Sequence, residues 1–318
     1  MTVLITCGEP AGIGPEIAAA AWAALRGQVP MAWLGDPRHL PAGTPITQIE
    51  SLAEAAGADG LPVLVHPFPS AGTPGVPSPE NAQAVIDVIA RGVELVCGGA
   101  ASALCTAPIH KKALKDGAGF AYPGHTEYLE ALTGAERAVM MLASDALRVV
   151  PVTIHVALAD VPRALTPTLL RDTIRITAEG LRARFGLKAP RLAVAGLNPH
   201  AGEGGAMGRE EIDFIGHVVA EMAADGVNIR GPLPADTMFH AAARAHYDAA
   251  LCMYHDQALI PIKTLDFDRG VNVTLGLPMV RTSPDHGTAF DIAGRGIANP
   301  SSMIEAVKLA HRMAGARA

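Results

Sequence analysis

Short apolar runs alternate with segments of helical periodicity along the whole chain, and this alternation restricts the fold more than any other feature. Strand-like runs occupy residues 3–7, 31–34, 62–65, 102–106, 139–142, 149–154, 192–195, 250–254 and 272–275. Helical spacing fills the intervals. One helix opens at Pro15-Glu16, where proline suits a first-turn position and a carboxylate faces the positive end of the dipole. Another covers residues 80–96, with Ala82, Val85, Ile86, Ile89 and Val93 on one face. A third opens at Thr166-Pro167, a fourth follows Gly208, and a last one begins at Ser302. Strands alternating with helices of this length predict an α/β protein with a largely parallel sheet.

Length and composition narrow the class further. A chain of 318 residues has room for one large domain or two joined ones. With 49% hydrophobic and 18% charged residues it is neither disordered nor a coiled coil. A net charge of −6 and few aromatic residues argue against a nucleic-acid groove or an anionic membrane as partner. The cysteines at 7, 97, 105 and 252 lack C-x-x-C spacing and read as reduced thiols. The opening residues have no secretory pattern, and no apolar stretch is long enough to span a bilayer, so a soluble cytoplasmic protein is expected. Histidine is unusually plentiful, at 12 residues against 4 cysteines.

Polar residues gather with Gly and Pro at the ends of the apolar runs, where α/β folds place their sites. Residues 8–17, GEPAGIGPEI, form a glycine-rich strand-to-helix turn. It is not a dinucleotide fingerprint, because Ile17 stands where a small third residue is required. In Pro123-Gly124-His125-Thr126-Glu127 a His and a hydroxyl suit an oxyanion, although Thr126 equally suits a helix cap. His155, His200 and His255 each fall at or just beyond the C-terminal end of an expected strand. Parallel strands collect those ends on one edge, so three imidazoles there suit a divalent cation, with a structural role for each histidine as the alternative. Lys263 and Arg281, separated by Asn272, are cations among apolar neighbours and suit a phosphate or carboxylate. The proline-rich stretch 67–79 reads as a surface arm. Changes of domain are placed near Pro123-Gly124 and Arg269-Gly270.

Taken together these blocks resemble a known family. GEPAGIGPEI looks like the N-terminal signature of the isocitrate and isopropylmalate dehydrogenase-like fold, and DHGTAFDIAGRGIANPSSMI (285–304) is similar to the nucleotide-binding loop of that superfamily. TAPIHK (106–111), PGHTEYL, GLNPHAGEGG, GPLPADT (231–237), MYHDQ and GVNVTLGLPMVRTSPDHGTA resemble the 4-hydroxythreonine-4-phosphate dehydrogenase family of vitamin B6 synthesis. The resemblance runs from Gly8 to Ile304. It implies a three-layer α/β/α fold with two subdomains, 1–122 plus 270–318 on the cofactor side and 123–269 on the metal and dimerisation side, and an active site in the cleft between them. It also implies oxidation of the 3-hydroxyl of 4-phosphooxy-L-threonine by NAD or NADP, followed by decarboxylation to 3-amino-1-hydroxyacetone phosphate.

By the same resemblance the metal ligands are His155, His200 and His255, and the substrate contacts are His125, Thr126, Lys263, Asn272 and Arg281. The implied homodimer shares its site, with His255 coming from the partner. The adenosine side of the cofactor is expected on His286, Gly287, Thr288, Asp291 and Asn299. A divalent ion (zinc, cobalt or magnesium) lowers the pKa of a bound hydroxyl and stabilises an enolate, so one Lewis acid serves both steps. Lys263 and Asp256 are the candidate proton acceptors. A dehydrogenase acting on D-threonate or D-erythronate 4-phosphate is the alternative reading. A non-catalytic phosphometabolite-binding protein has no need for the three histidines.

Overall fold

A computed structural model of the chain describes residues 1–316. It divides into two compact units, Met1–Ala138 joined by Val271–Ala316, and Val139–Gly270.

The first unit is built on strands β1 (Val3–Thr6), β2 (Met31–Gly35), β3 (Ile46–Ile49), β4 (Leu61–Val65) and β5 (Ala103–Thr106). Its helices in the same segment are α1 (Gly14–Leu25), α2 (Ala82–Cys97), α3 (Lys111–Ala118) and α4 (His125–Thr133). β1 and β5 are buried along their whole length, as strands covered on both faces must be. In α2, Val85, Val88, Ile89, Val93 and Val96 recur at helical spacing and are buried. That helix starts later than its apolar pattern predicts, because Pro79–Asn81 first forms a separate 3-10 turn.

The second unit carries β6 (Val139–Ala143), β7 (Arg148–Pro151), β8 (Leu192–Ala195), β9 (Ile229–Leu233) and β10 (Ala249–Cys252). Its helices are α5 (Val161–Ala164), α6 (Pro167–Phe185), α7 (Gly216–Ala224), α8 (Ala241–Arg244) and α9 (His255–Leu265). Thr166 caps α6 by accepting the Leu169 N–H at 3.1 Å, and Gly186 closes the helix in the left-handed region. Its strands lie in the order β6-β7-β10-β8-β9. β7, β10, β8 and β9 run parallel, and β6 is antiparallel to β7.

The chain then returns to the first unit with β11 (Val271–Leu275), β12 (Arg281–Pro284) and α10 (Ser301–Gly315). The strand order there is β3-β4-β2-β1-β5-β12-β11, all parallel except the β11–β12 pair. Both α2 and α10 pack on β1 and β5, while α10 packs with α1 and α2 with α3 and α4. This places helices on the two opposite faces of those strands.

Three observed strands have no counterpart in the apolar pattern. β3 is mostly exposed, β9 contains Gly231-Pro232, and β12 reads Arg-Thr-Ser-Pro while lying in the core. Conversely, residues 152–154 belong to no strand, since β7 ends at Pro151. The stretch 67–79 is not a free surface arm. Phe68 is buried, the Ser70 N–H donates to Asn81 Oδ1 at 3.0 Å, and the Gly75 N–H donates to the Ala11 carbonyl at 2.7 Å.

Candidate active site

In the second unit the register of neighbouring strands carries the histidines. Val149 pairs with Ala250 and Pro151 with Cys252. The match continues beyond the strands, where the Val152 N–H donates to the Cys252 carbonyl at 2.8 Å and the Thr153 N–H to the Met253 carbonyl at 3.2 Å. Two positions further out are His155 and His255, whose ring centroids lie 5.9 Å apart. They line a cavity of about 250 Å³ together with Thr153, Tyr254, Asp256 and Leu158.

His200 follows β8, the other parallel neighbour of β10. Gln257 joins the two exits, its side chain accepting the Met253 N–H at 2.6 Å and donating to the Gly196 carbonyl at 2.8 Å. The His200 loop is built from left-handed residues, with φ of 52° at His200, 53° at Ala201 and 41° at Glu203. His155 has φ of 53°. Left-handed backbone at non-glycine residues costs about 1–3 kcal/mol each and gathers at functional sites. Glu211, itself buried, holds the His200 loop by accepting from the Asn198 N–H at 2.8 Å and from the Asn198 side chain at 3.0 Å.

No group of three or more His, Cys, Asp or Glu is gathered tightly enough to hold a metal ion among the described residues. The structure brings His155 and His255 together and leaves His200 on the adjoining loop of the same sheet edge. The donor set, exposed imidazoles on one edge, is the chemistry of a borderline divalent ion. Asp256, expected as a candidate base, lies 2.6 Å from His255 Nδ1. Lys263 sits in the last turn of α9, with its ammonium 5.7 Å from the centre of the Phe267 ring.

In the first unit the anion-seeking residues collect around Arg281. β12 and β11 are antiparallel, so Thr274 lies opposite Arg281 and Asn272 opposite Ser283. The Arg281 guanidinium donates to Thr274 Oγ1 at 2.9 Å and to Thr106 Oγ1 at 2.7 Å, and its Nε is sealed without a partner. The residue is 3% exposed and, among the described residues, pairs with no carboxylate; burial pushes its pKa down to about 10. His125 opens α4, whose N-cap is Gly124 with no side-chain cap. Thr126 therefore does not cap the helix, and the first-turn N–H groups stay available to an anion. His125 Nε2 is sealed and unpartnered. Burial, then the charges of Arg281 and Lys111, hold its pKa well below the ordinary imidazole range, so the ring is neutral near pH 7.

The loop after β12, which carries His286, Gly287, Thr288, Asp291 and Asn299, is stitched to the glycine-rich turn. The Ile13 N–H donates to the Thr288 carbonyl at 3.0 Å. A side chain at Gly12 would meet that carbonyl at 2.9 Å, which is why glycine stands there. Glu16 accepts the Gly294 N–H, and Phe290 packs edge-on against His110 at 5.0 Å. His286 has Nδ1 3.1 Å from the Gly287 carbonyl and a sealed, unpartnered Nε2. Asn299 accepts the Ser301 N–H at 3.0 Å at the start of α10, and Asp291 is exposed.

Two residues escape sequence reasoning. Glu9, inside the glycine-rich turn, is 3% exposed, accepts the Ala11 N–H at 3.1 Å and has its pKa raised by burial. Lys111 ends the TAPIHK segment and faces His125. A polar residue within a glycine-rich turn was the available signal for Glu9; Lys111 offered none beyond its place in a motif.

Comparison with known proteins gives a consistent result. A profile of the family described as pyridoxal phosphate biosynthetic protein PdxA matches residues 29–310. A Roseobacter denitrificans protein named 4-hydroxythreonine-4-phosphate dehydrogenase is 71% identical, covering 98% of this chain and 97% of its own length. The crystal structure of the Klebsiella pneumoniae protein of that name superposes with a TM-score of 0.90 at 38% identity, covering 98% of this chain and 99% of its own. An isocitrate dehydrogenase from Methylococcus capsulatus shares the fold, with a TM-score of 0.50 at 16% identity over 99% of this chain and 86% of its own.

Proposed function

The chain belongs to the PdxA family of pyridoxal phosphate biosynthetic proteins, and from that premise we propose that it oxidises 4-phosphooxy-L-threonine at the 3-hydroxyl with NAD or NADP. The product, 2-amino-3-oxo-4-phosphooxybutanoate, loses carbon dioxide to give 3-amino-1-hydroxyacetone phosphate. The observation that carries the phosphorylated substrate is Arg281, a buried cation with no carboxylate, beside a neutral His125 at an uncapped helix start.

In this reading Arg281, the imidazole of His125, Thr126 and Asn272 bind the substrate, with the first N–H groups of α4 turned to the phosphate. His125 acts as a hydrogen-bond donor and contributes no charge. His155, His200 and His255 hold a divalent ion, with a second copy of the chain supplying one member of the set, assigned to His255 by resemblance. When bound, the ion would supply Lewis acidity next to the substrate's hydroxyl. Asp256 accepts a hydrogen bond from His255 Nδ1–H, which leaves Nε2 as the nitrogen with the free lone pair. That leaves Lys263 as the candidate acceptor of the hydroxyl proton.

The unit bearing the loop after β12 is the cofactor side, and the unit bearing the three histidines is the metal side. Val156, Leu158, Ile260 and Phe267 are exposed apolar residues around the metal side, and burying them supports a homodimer. No helix among the described residues is long and apolar enough to cross a membrane.

The test is reduction of NAD or NADP, followed by absorbance, with 4-phosphooxy-L-threonine and with D-erythronate 4-phosphate side by side. Protein stripped by a chelator and reloaded with zinc, cobalt or magnesium completes it. Turnover of the first substrate that disappears on stripping and returns with metal supports the proposal. No turnover under any of these combinations overturns it.

A further inference from the structure

We propose that Lys111 is a second cation of the phosphate subsite, alongside the buried Arg281; the assignment deepens the function proposed above and rests on it. The argument begins with charge. A phosphate monoester carries about −1.5 to −2 near neutral pH. Arg281 supplies one positive charge, and its Nε is sealed without a partner. His125 is neutral, and the start of α4 adds only a partial charge. Nearly one negative charge is left without a counterpart.

Lys111 is placed to supply it. It is the first residue of α3, directly after the β5 exit that also carries Thr106, the acceptor of Arg281. Its Cε and Nζ lie 3.3 and 3.4 Å from the point where a Cβ on Gly124 would stand, and Glu127 Oε2 lies 3.3 Å from the same point, so the ammonium hangs over the first turn of α4 beside that carboxylate. Gly124 has an extended backbone that any residue adopts, with φ of −174°. The absence of a side chain at 124 therefore serves space, and the space admits Lys111 together with the Glu127 carboxylate. Its field reaches the His125 ring alongside that of Arg281.

The neighbouring lysine shows the contrast. Lys112 is tied to Asp116 one turn on, whereas no such tether holds Lys111 among the described residues. An exposed lysine on a flexible stem adapts to an arriving phosphate, while the arginine fixed on β12 defines its position.

The experiment compares the full-length wild type with Lys111→Ala, Lys111→Arg and Lys112→Ala. Calorimetry with inorganic phosphate reads binding without turnover. Kinetics with 4-phosphooxy-L-threonine and with its unphosphorylated counterpart read the role in the reaction. Lys111→Ala should weaken phosphate binding and raise KM for the phosphorylated substrate by about tenfold to a hundredfold, the size of one charge-assisted hydrogen bond. Lys111→Arg should recover most of the loss, Lys112→Ala should behave as wild type, and the unphosphorylated substrate should not notice the change. Unaltered phosphate binding in Lys111→Ala, equal losses on both substrates, or a wild type that does not bind phosphate overturns the assignment. A wild type that binds phosphate through Lys111 but does not oxidise 4-phosphooxy-L-threonine leaves the subsite standing and removes the proposed substrate.

Discussion

Replacing Arg281 by methionine should separate binding from folding. The guanidinium is 3% exposed, and its pKa lies at about 10 against an ordinary 12.5. At about 1.4 kcal/mol per pH unit, keeping the charge in that place costs on the order of 3 kcal/mol. Against this, Thr106 and Thr274 lose their donated hydrogen bonds, worth about 1 kcal/mol each. Methionine fills much of the same volume and tolerates irregular space. The two effects nearly cancel, so the ligand-free variant should match the wild type within about 1–2 kcal/mol, with any difference in its favour. Phosphate binding should suffer far more. Losing a buried charged donor removes about 3 kcal/mol, a factor above a hundred. Denaturant unfolding of the ligand-free proteins, followed by thermal unfolding with and without phosphate, reads both quantities. The wild type should gain stability from phosphate by mass action, and the variant should gain none at the same concentration. A variant that unfolds about 4 kcal/mol more easily, or that phosphate still stabilises, would refute the reasoning.

Burial holds His125, His39 and His66 below the ordinary histidine range. The unfolded chain takes up protons near pH 6.5 while the folded one resists, so stability is full above that pH and is lost as pH falls below it. Each residue contributes up to about 1.4 kcal/mol per pH unit, and His125→Asn should flatten the denaturation profile by one histidine's share; an unchanged slope contradicts the neutral assignment. Asp256→Asn should lower metal affinity about 10–100-fold through the loss of its hold on His255 Nδ1. Competition against a chromophoric chelator measures it, activity should return at high metal concentration, and equal affinity for both proteins would rule the positioning role out.

The α/β class was legible because β1, β2, β4, β5 and β8 are apolar apart from the closing Thr6 and Thr106, as strands buried on both faces are. β12 was not legible, because Arg281, Thr282 and Ser283 are buried polar residues, Arg281 and Thr282 held by specific hydrogen bonds that no hydropathy pattern reports. The antiparallel β11–β12 and β6–β7 pairs interrupt an otherwise parallel arrangement for which alternation alone gives no hint. For the site, the strand-end positions of His155, His200 and His255 could be read from spacing. The left-handed backbone that presents His155 and His200 could not, since histidine gives no local signal for it. Thr126 was ambiguous between cap and ligand until Gly124 proved to be the N-cap. Lys111 stayed hidden because the role proposed for it depends on the room that Gly124 leaves over the first turn of α4.

The return of Val271–Ala316 to the first unit sets an order on the ribosome. The second unit is one uninterrupted stretch and has all its strands available once Gly270 has emerged. The first unit begins earlier yet cannot finish, because β12 and α10 pack on strands made hundreds of residues before. The histidine edge can therefore mature while Arg281, proposed to recognise phosphate, is still unmade. A nascent chain stalled near Gly270 would carry the three histidines proposed to hold metal without the arginine proposed to hold substrate, so the two proposed capacities arrive in sequence.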